Sequence, residues 1–254
     1  MEPRRLVVRR VRIASGAWPA GRPRLRIALV SDLHAGGPHV KPRSVERVVR
    51  RVNREEPQLV LLLGDFVDHE VALGGEVAPE AVAVELGELR AELGSVAVLG
   101  NHDWRFGGER VGAALAAAGI RVLENDAVAL RTPDGPLWLA GVADLRLRRA
   151  DVAEALEAVP EGEPVVLLTH NPDVFPRVPE RVALTVAGHL HGGQVGVPLL
   201  RRSVLPSAYG ERFARGHVEE GGRHLYVTQG VGEAGWPFRF AAPPEVVIVE
   251  LTAA

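Results

Sequence analysis

The sequence predicts an α/β fold, a layered sheet with helices packed against it, and three observations carry that reading. Short apolar runs at 27–30, 59–63, 137–142 and 165–169 alternate with segments of helical periodicity. A chain of 254 residues with 46% hydrophobic content and a net charge of −2 buries a sizeable core and is not disordered. It contains no cysteine, which removes disulfides, thiolate nucleophiles and cysteine-held metals. Any metal must therefore be held by His, Asp, Glu or Asn. The balance of 30 basic against 32 acidic residues argues against a nucleic-acid-coating protein, and no nucleic-acid partner is expected.

The elements follow in order. Residues 1–26 carry eight arginines and one acid, Glu2. Val11 and Ile13 alternate with Arg10 and Arg12, the pattern of an edge strand with charged outer positions. The competing reading is a basic strip for an anionic surface. A strand at 27–30 is followed by Val45, Val48, Val49 and Val52, spaced i, i+3, i+4, i+7. That stripe predicts a helix over 44–55 with Ser44 as N-cap. A buried strand at 59–63, a helix over 79–93, a strand at 96–99 and an Ala-rich helix over 110–118 closed by Gly119 come next. Further strands are expected at 137–142, 165–169, 182–187, 225–229 and 246–251, with a helix over 150–159. With no repeat and no linker, residues 1–254 read as a single domain. No segment holds the roughly 18–20 apolar residues of a membrane span. Arg12 interrupts the stretch a twin-arginine signal would need. The chain therefore reads as cytoplasmic, with peripheral contact to a membrane as the alternative setting.

The apolar strands end in a pattern of polar residues. The first runs into Asp32-Leu33-His34, the next into Gly64-Asp65 with Asp68 beyond, and the third into Asn101-His102-Asp103. Two later strands run into His170 and into His189-Leu190-His191. Open α/β sheets bind ligands beyond the carboxyl ends of their strands, so all five points can meet in one crevice. On extended backbone, i and i+2 share a side, so Asp32/His34 and His189/His191 are each expected to present two ligands together. Two Asp, one Asn and four His mix oxygen with imidazole donors, a set suited to Mn, Zn or Fe. Seven ligands exceed one tetrahedral ion and match two divalent ions sharing a carboxylate. Each short motif alone is as well explained by a turn or a satisfied core histidine; their order after successive strands is the signal. His39, His69, His217 and His224 lack that placement and read as surface or supporting groups. Gly230-Val-Gly232-Glu-Ala-Gly235 fits a dinucleotide-loop spacing, but Trp236-Pro237 stands where a helix must open. It reads as a loop lining a cleft.

These blocks, Asp32-x-His34, Gly64-Asp65-x-x-Asp68, Gly100-Asn101-His102-Asp103, His170 and Gly188-His189-x-His191, resemble the five signatures of the calcineurin-like metallophosphoesterase superfamily. Gly192-Gly193-Gln194, Gly230-x-Gly232 and Pro243-Pro244-Glu245 resemble a bacterial, membrane-associated branch with members like UDP-2,3-diacylglucosamine pyrophosphatase. The resemblance implies a four-layer α/β/β/α sandwich of two mixed sheets flanked by helices. It implies hydrolysis of a phosphate ester, a diester or a monoester, by metal-activated hydroxide, with a small-molecule or lipid-linked substrate. It also implies one metal on Asp32, His34, Asp65 and His191, and a second on Asp65, Asn101, His170 and His189. His102 would sit by the scissile phosphate as a catalytic residue, oriented by Asp103 or a backbone carbonyl, and Asp68 and Asp103 would fix imidazole tautomers. A pyrophosphate hydrolase and a non-catalytic metal- or phosphate-binding scaffold are the alternative readings. The segment Leu199-Leu200-Arg201-Arg202 adds an expectation of a lipid-linked substrate.

Overall fold

The computed structural model describes residues 2–68, 70–194 and 205–254. His69 and the 199–202 segment lie outside them. Along the chain the strands are β1 (Val7–Ser15), β2 (Leu25–Val30), β3 (Leu59–Leu62), β4 (Ser95–Ala97), β5 (Arg121–Val122) and β6 (Asp126–Thr132). They continue with β7 (Gly135–Gly141), β8 (Val165–Leu168), β9 (Leu184–Ala187), β10 (Gly216–Glu220), β11 (Arg223–Val227) and β12 (Glu245–Ala253). The α-helices are α1 (Pro42–Asn53), α2 (Pro79–Leu86), α3 (Asn101–Ala117) and α4 (Val152–Leu156). Two six-stranded mixed sheets form, in the orders β1-β12-β2-β3-β4-β5 and β10-β11-β9-β8-β7-β6.

Strand periodicity explains the layering. Leu59, Leu61 and Leu63 join Leu139, Val166 and Val186 in a core between the two sheets. Val60 and Leu62, on the opposite face, pack with Val45, Val82 and Leu115 of α1, α2 and α3. On the far side of the second sheet, Leu167 and Leu225 pack with Val152, Ala155 and Leu156 of α4. Strands buried on both faces read as unbroken apolar runs, which is why 59–63 and 165–169 were legible. The architecture is the four-layer α/β sandwich expected.

Local chemistry shifts several boundaries. Helix α1 begins at Pro42, whose missing N–H costs nothing in a first turn, and the Ser44 hydroxyl donates to the His39 carbonyl at 2.9 Å instead of capping. Helix α2 stops at Leu86, with Gly87 as its C-cap. Helix α3 starts at Asn101, nine residues before the expected point. Gly107, at φ 134°, kinks it and interrupts its apolar periodicity. The sequence reading missed β5, the edge strand β6 and the polar β10, whose surfaces carry no continuous apolar signal.

Strand β1 is the outer strand of its sheet, pairing parallel with β12. Its arginines are neutralised within the fold: Arg9 by Glu245 at 3.0 Å, Arg10 by Glu55 at 2.7 Å and Arg12 by Glu250 at 3.3 Å. The placement in a membrane-associated branch is corrected. Among the described residues no helix is long and apolar enough to cross a membrane, and the longest, α3, spans 17 residues and carries Asp103, Arg105, Glu109 and Arg110.

Candidate metal centre

Strands β2, β3 and β4 run parallel, as do β7, β8 and β9, and the residues past their carboxyl ends meet. The loops after β2 and β3 are zipped together beyond the sheet. Asp32 N donates to the Gly64 carbonyl, His34 N to that of Asp65 and Ala35 N to that of Phe66, at 2.9, 2.9 and 3.0 Å. These main-chain bonds set Asp32 and His34 against Asp65. The loops after β8 and β9 are tied likewise, Gly188 N donating to the His170 carbonyl at 3.0 Å.

Asp32, His34, Asp65, His189 and His191 all adopt positive φ, between 43° and 71°. Side-chain residues rarely take the left-handed region, and its cost, about 1–3 kcal/mol each, is tolerated mainly at functional sites. This geometry corrects the extended-backbone argument for the Asp-x-His and His-x-His pairs. Asp32 and His34 still present ligand atoms together, while His189 and His191 fall into separate groups. Asp32, His34 and His191 place ligand atoms within 4.8 Å of one another, and so, separately, do Asp65, His170 and His189. Two metal-binding clusters result, one from each set.

Within the first cluster, His34 Nε2 lies 3.0 Å from His191 Nε2 and 3.5 Å from Asp65 Oδ2, and His191 Nε2 lies 3.4 Å from Asp32 Oδ1. Within the second, His170 Nε2 lies 3.1 Å from both Asp65 Oδ2 and His189 Nδ1. Asp65 Oδ2 thus faces both clusters, while Asp65 Oδ1 accepts from the backbone N–H of His102 at 2.8 Å. His170 Nδ1 meets the Leu63 carbonyl at 2.7 Å and His34 Nδ1 meets Asp68 Oδ2 at 2.8 Å. Each contact occupies the outer ring nitrogen and leaves Nε2 toward the cluster, the orientation metal-binding imidazoles take.

The residues fit metal ions. Asn101 Oδ1 is buried and has no hydrogen-bond partner. A buried orphan acceptor is costly, and a bound cation would satisfy it. Burial, with His170 nearby, pulls His189 down to about 3, keeping it in the neutral, ligating form. Burial, His34 and Arg239 hold His191 well below its ordinary value. Despite burial, Asp65 lies well below the usual carboxylate range because His170 and His34 favour its charge. Asp32 is shifted upward by burial.

His102 is half-buried beside this centre, its ring edge-on to His34 with centroids 4.8 Å apart. Asp68 Oδ2 lies 3.0 Å from His102 Nδ1, so Asp68 spans His34 and His102, and the two imidazoles hold it below the usual carboxylate range despite burial. Asp103 plays a different part from the one expected. Its carboxylate accepts from the backbone N–H groups of Asp65, Phe66, Val67 and Gly100, at 2.7 to 3.3 Å, and among the described residues it touches no imidazole. It fixes the turn that carries Asp65. His39 sits 3.5 Å from Glu233, while His217 and His224 stack on each other away from the centre.

The sequence reading missed Asp144. It follows β7 as Asp32 follows β2, is buried, and accepts from Arg146 N and Leu147 N at 3.0 and 2.7 Å. That turn presents Arg146 to a cavity of about 430 Å³ over the metal centre. Asp65, Asn101, His102, His189 and His191 form its floor, and Arg105, Arg146, Trp236 and Phe238 stand among its walls. The 230–235 loop opens no helix. Val231 N and Gly232 N donate to the Ser31 and Asp32 carbonyls, at 3.1 and 2.6 Å. At Gly230, φ is 67° and an added Cβ would press on the Asp32 side chain, so only glycine fits.

A family model described as calcineurin-like phosphoesterase matches residues 25–193 and identifies the superfamily without a membrane-associated branch. An uncharacterized metallophosphoesterase of Aquifex aeolicus is 34% identical over 89% of this chain and 85% of its own. The Escherichia coli phosphodiesterase YaeI is 34% identical over 89% and 82%. The Bacillus subtilis metallophosphoesterase YkuE is 29% identical over 99% and 87%. Among solved structures, the NAD nucleotidase of Haemophilus influenzae aligns with 82% of this chain and 45% of its own, with a TM-score of 0.52 and 16% identity, a likeness of fold.

Proposed function

The chain belongs to the calcineurin-like phosphoesterase family, and from that premise we propose that it hydrolyses phosphodiesters. Family and paired His/Asp clusters make it a metal-dependent hydrolase of phosphate esters with a binuclear centre. The observation that carries the reading is Asp65 Oδ2, held between the clusters 3.1 Å from His170 Nε2 and 3.5 Å from His34 Nε2. One ion would be held by Asp32, His34, Asp65 and His191, and the other by Asp65, Asn101, His170 and His189. The mixed imidazole, carboxylate and amide donors suit Mn, Zn or Fe. When bound, two such ions would supply an acidified water and polarisation of the phosphate oxygens.

The chain's own residues supply the rest. Asp68 Oδ2 lies 3.0 Å from Nδ1 of His102, on the side away from Nε2, which would give a proton to the departing ester oxygen, a contribution of about 10²–10⁴-fold for a poor leaving group. Asp103 and the backbone N–H of His102 hold the Asp65 carboxylate in register with both clusters. Phosphodiester preference is supported by the cavity, which reaches Arg146 and the aromatic pair Trp236 and Phe238, walls for two ester groups. The E. coli relative's name, a phosphodiesterase, points the same way. We read residues 1–254 as one domain, because β1 and β12 complete the sheet that carries Asp32 and Asp65.

The test is turnover of bis(p-nitrophenyl) phosphate and p-nitrophenyl phosphate by protein loaded with Mn, Zn or Fe. Faster cleavage of the diester is expected. Monoester preference would overturn the diester reading, and failure on both with every metal would overturn phosphoester hydrolysis.

A further inference from the structure

Three large aromatic side chains stand exposed in one short segment, Trp236 at 67%, Phe238 at 50% and Phe240 at 60%. Between them Arg239 is buried and donates to the carbonyls of Gly232, Ala242 and Gln229, with Nη2 also 3.2 Å from His191 Nδ1. Gln194 clamps the same segment from the other side. Its Nε2 donates to the Ala234 and Trp236 carbonyls at 3.2 and 2.8 Å, its Oε1 accepts from Ala234 N at 2.9 Å, and its carbonyl accepts from Phe240 N at 3.0 Å. These contacts fix the backbone that carries the three exposed rings. Exposing rings on a fixed frame costs hydrophobic free energy that a ligand recovers.

The first two rings face the metal centre's cavity, sharing it with Asn101, His102 and His189. Among the described residues the other apolar neighbours there are Leu190, Pro206 and Ala234, so Trp236 and Phe238 are the aromatic side chains of that wall. Aromatic faces favour flat partners in offset or edge-on stacking and give up little side-chain freedom in doing so. Resting on the phosphodiester reading above, we propose that Trp236 and Phe238 form a stacking subsite. The substrate would then be a phosphodiester with a flat ring on one ester group, the phosphate over the metal centre and the ring against the indole. Trp236 and Phe238 would set ring preference without taking part in bond cleavage.

The test measures binding by calorimetry to the metal-loaded protein, using methyl-, cyclohexyl- and phenylphosphonate, whose C–P bond this chemistry does not break. Phenylphosphonate should bind about tenfold tighter than methylphosphonate, a typical worth for one stacked ring, with cyclohexylphosphonate well behind phenyl. A double variant, Trp236→Ala with Phe238→Ala, should lose the phenyl preference and bind methylphosphonate as the wild type does. Trp236→Phe, which keeps a ring, should retain most of it. Equal binding of methyl- and phenylphosphonate by the wild type would overturn the subsite, and equal gains from cyclohexyl and phenyl would overturn the flat-ring assignment. Turnover of bis(p-nitrophenyl) phosphate, read in parallel, separates the two claims. Turnover without ring preference removes the subsite alone, and ring preference without turnover removes the hydrolytic reading alone.

Discussion

Gly100→Ala isolates a single steric demand at the centre. Gly100 has φ −100° and ψ 178°, which alanine adopts freely, so no backbone strain enters. The obstacle is space. A Cβ at this position would lie 2.8 Å from Asp65 Cγ and 2.7 Å from Asp65 N, and closest of all to Asp65 Oδ1. Carbon atoms rest comfortably at about 3.5–4.0 Å, so the carboxylate must retreat by roughly 1 Å. Overpacking of this kind costs about 1–3 kcal/mol of stability. The larger effect falls on function, because a displacement of about 1 Å in a catalytic constellation costs on the order of 10²-fold in rate. Gly112→Ala is the matched control on α3. The nearest atom there is Leu99 Cδ1 at 3.9 Å, and the helix should gain about 0.5–1 kcal/mol. Metal content by elemental analysis, diester turnover and thermal midpoints are measured on both. Gly100→Ala with full metal content and a rate within twofold of wild type would refute the claim that Asp65 has no room to move.

Asp103→Ala should destabilise the protein by about 3–5 kcal/mol, since four buried N–H groups lose their acceptor; denaturant unfolding reads it, and a loss under about 1 kcal/mol would contradict the turn-anchoring role. Burial, with His224 nearby, lowers His217, so the unfolded chain binds a proton first as pH falls below about 6.5. Stability from this group is therefore present above that pH and lost as pH falls through the lowered folded value. The drop in thermal midpoint between pH 7.5 and 5.5 should shrink in His217→Gln, and an unchanged drop would remove His217 as its source.

The legible part of the site was the part written in strands. Residues 27–30, 59–63 and 165–169 are buried on both faces, so each continuous apolar run marked its end by a polar residue: Asp32, Asp65, His170. Asp144 obeys the same rule after β7 and passed unnoticed because it has no His or Asn beside it. The assignment of His189 and His191 to separate clusters could not be read from spacing, since it depends on left-handed backbone at both. The resemblance implied a role near an imidazole for Asp103, but the fold turns its carboxylate onto four N–H groups. Helix α3 was half hidden by the kink at Gly107. The aromatic wall of Trp236 and Phe238 has no periodicity to betray it; its exposure on a backbone clamped by Gln194 and Arg239 is visible only in the fold.

One carboxylate, Asp65, is proposed to serve two metal ions. Elemental analysis of metal-loaded wild type, Asp32→Ala, His170→Ala and Asp65→Ala, each checked for native folding by circular dichroism, measures this. Two ions per chain are expected in the wild type, with loss confined to one ion in Asp32→Ala and in His170→Ala, and loss of both in Asp65→Ala. Two ions retained by folded Asp65→Ala, or a wild type that never binds more than one, would contradict it.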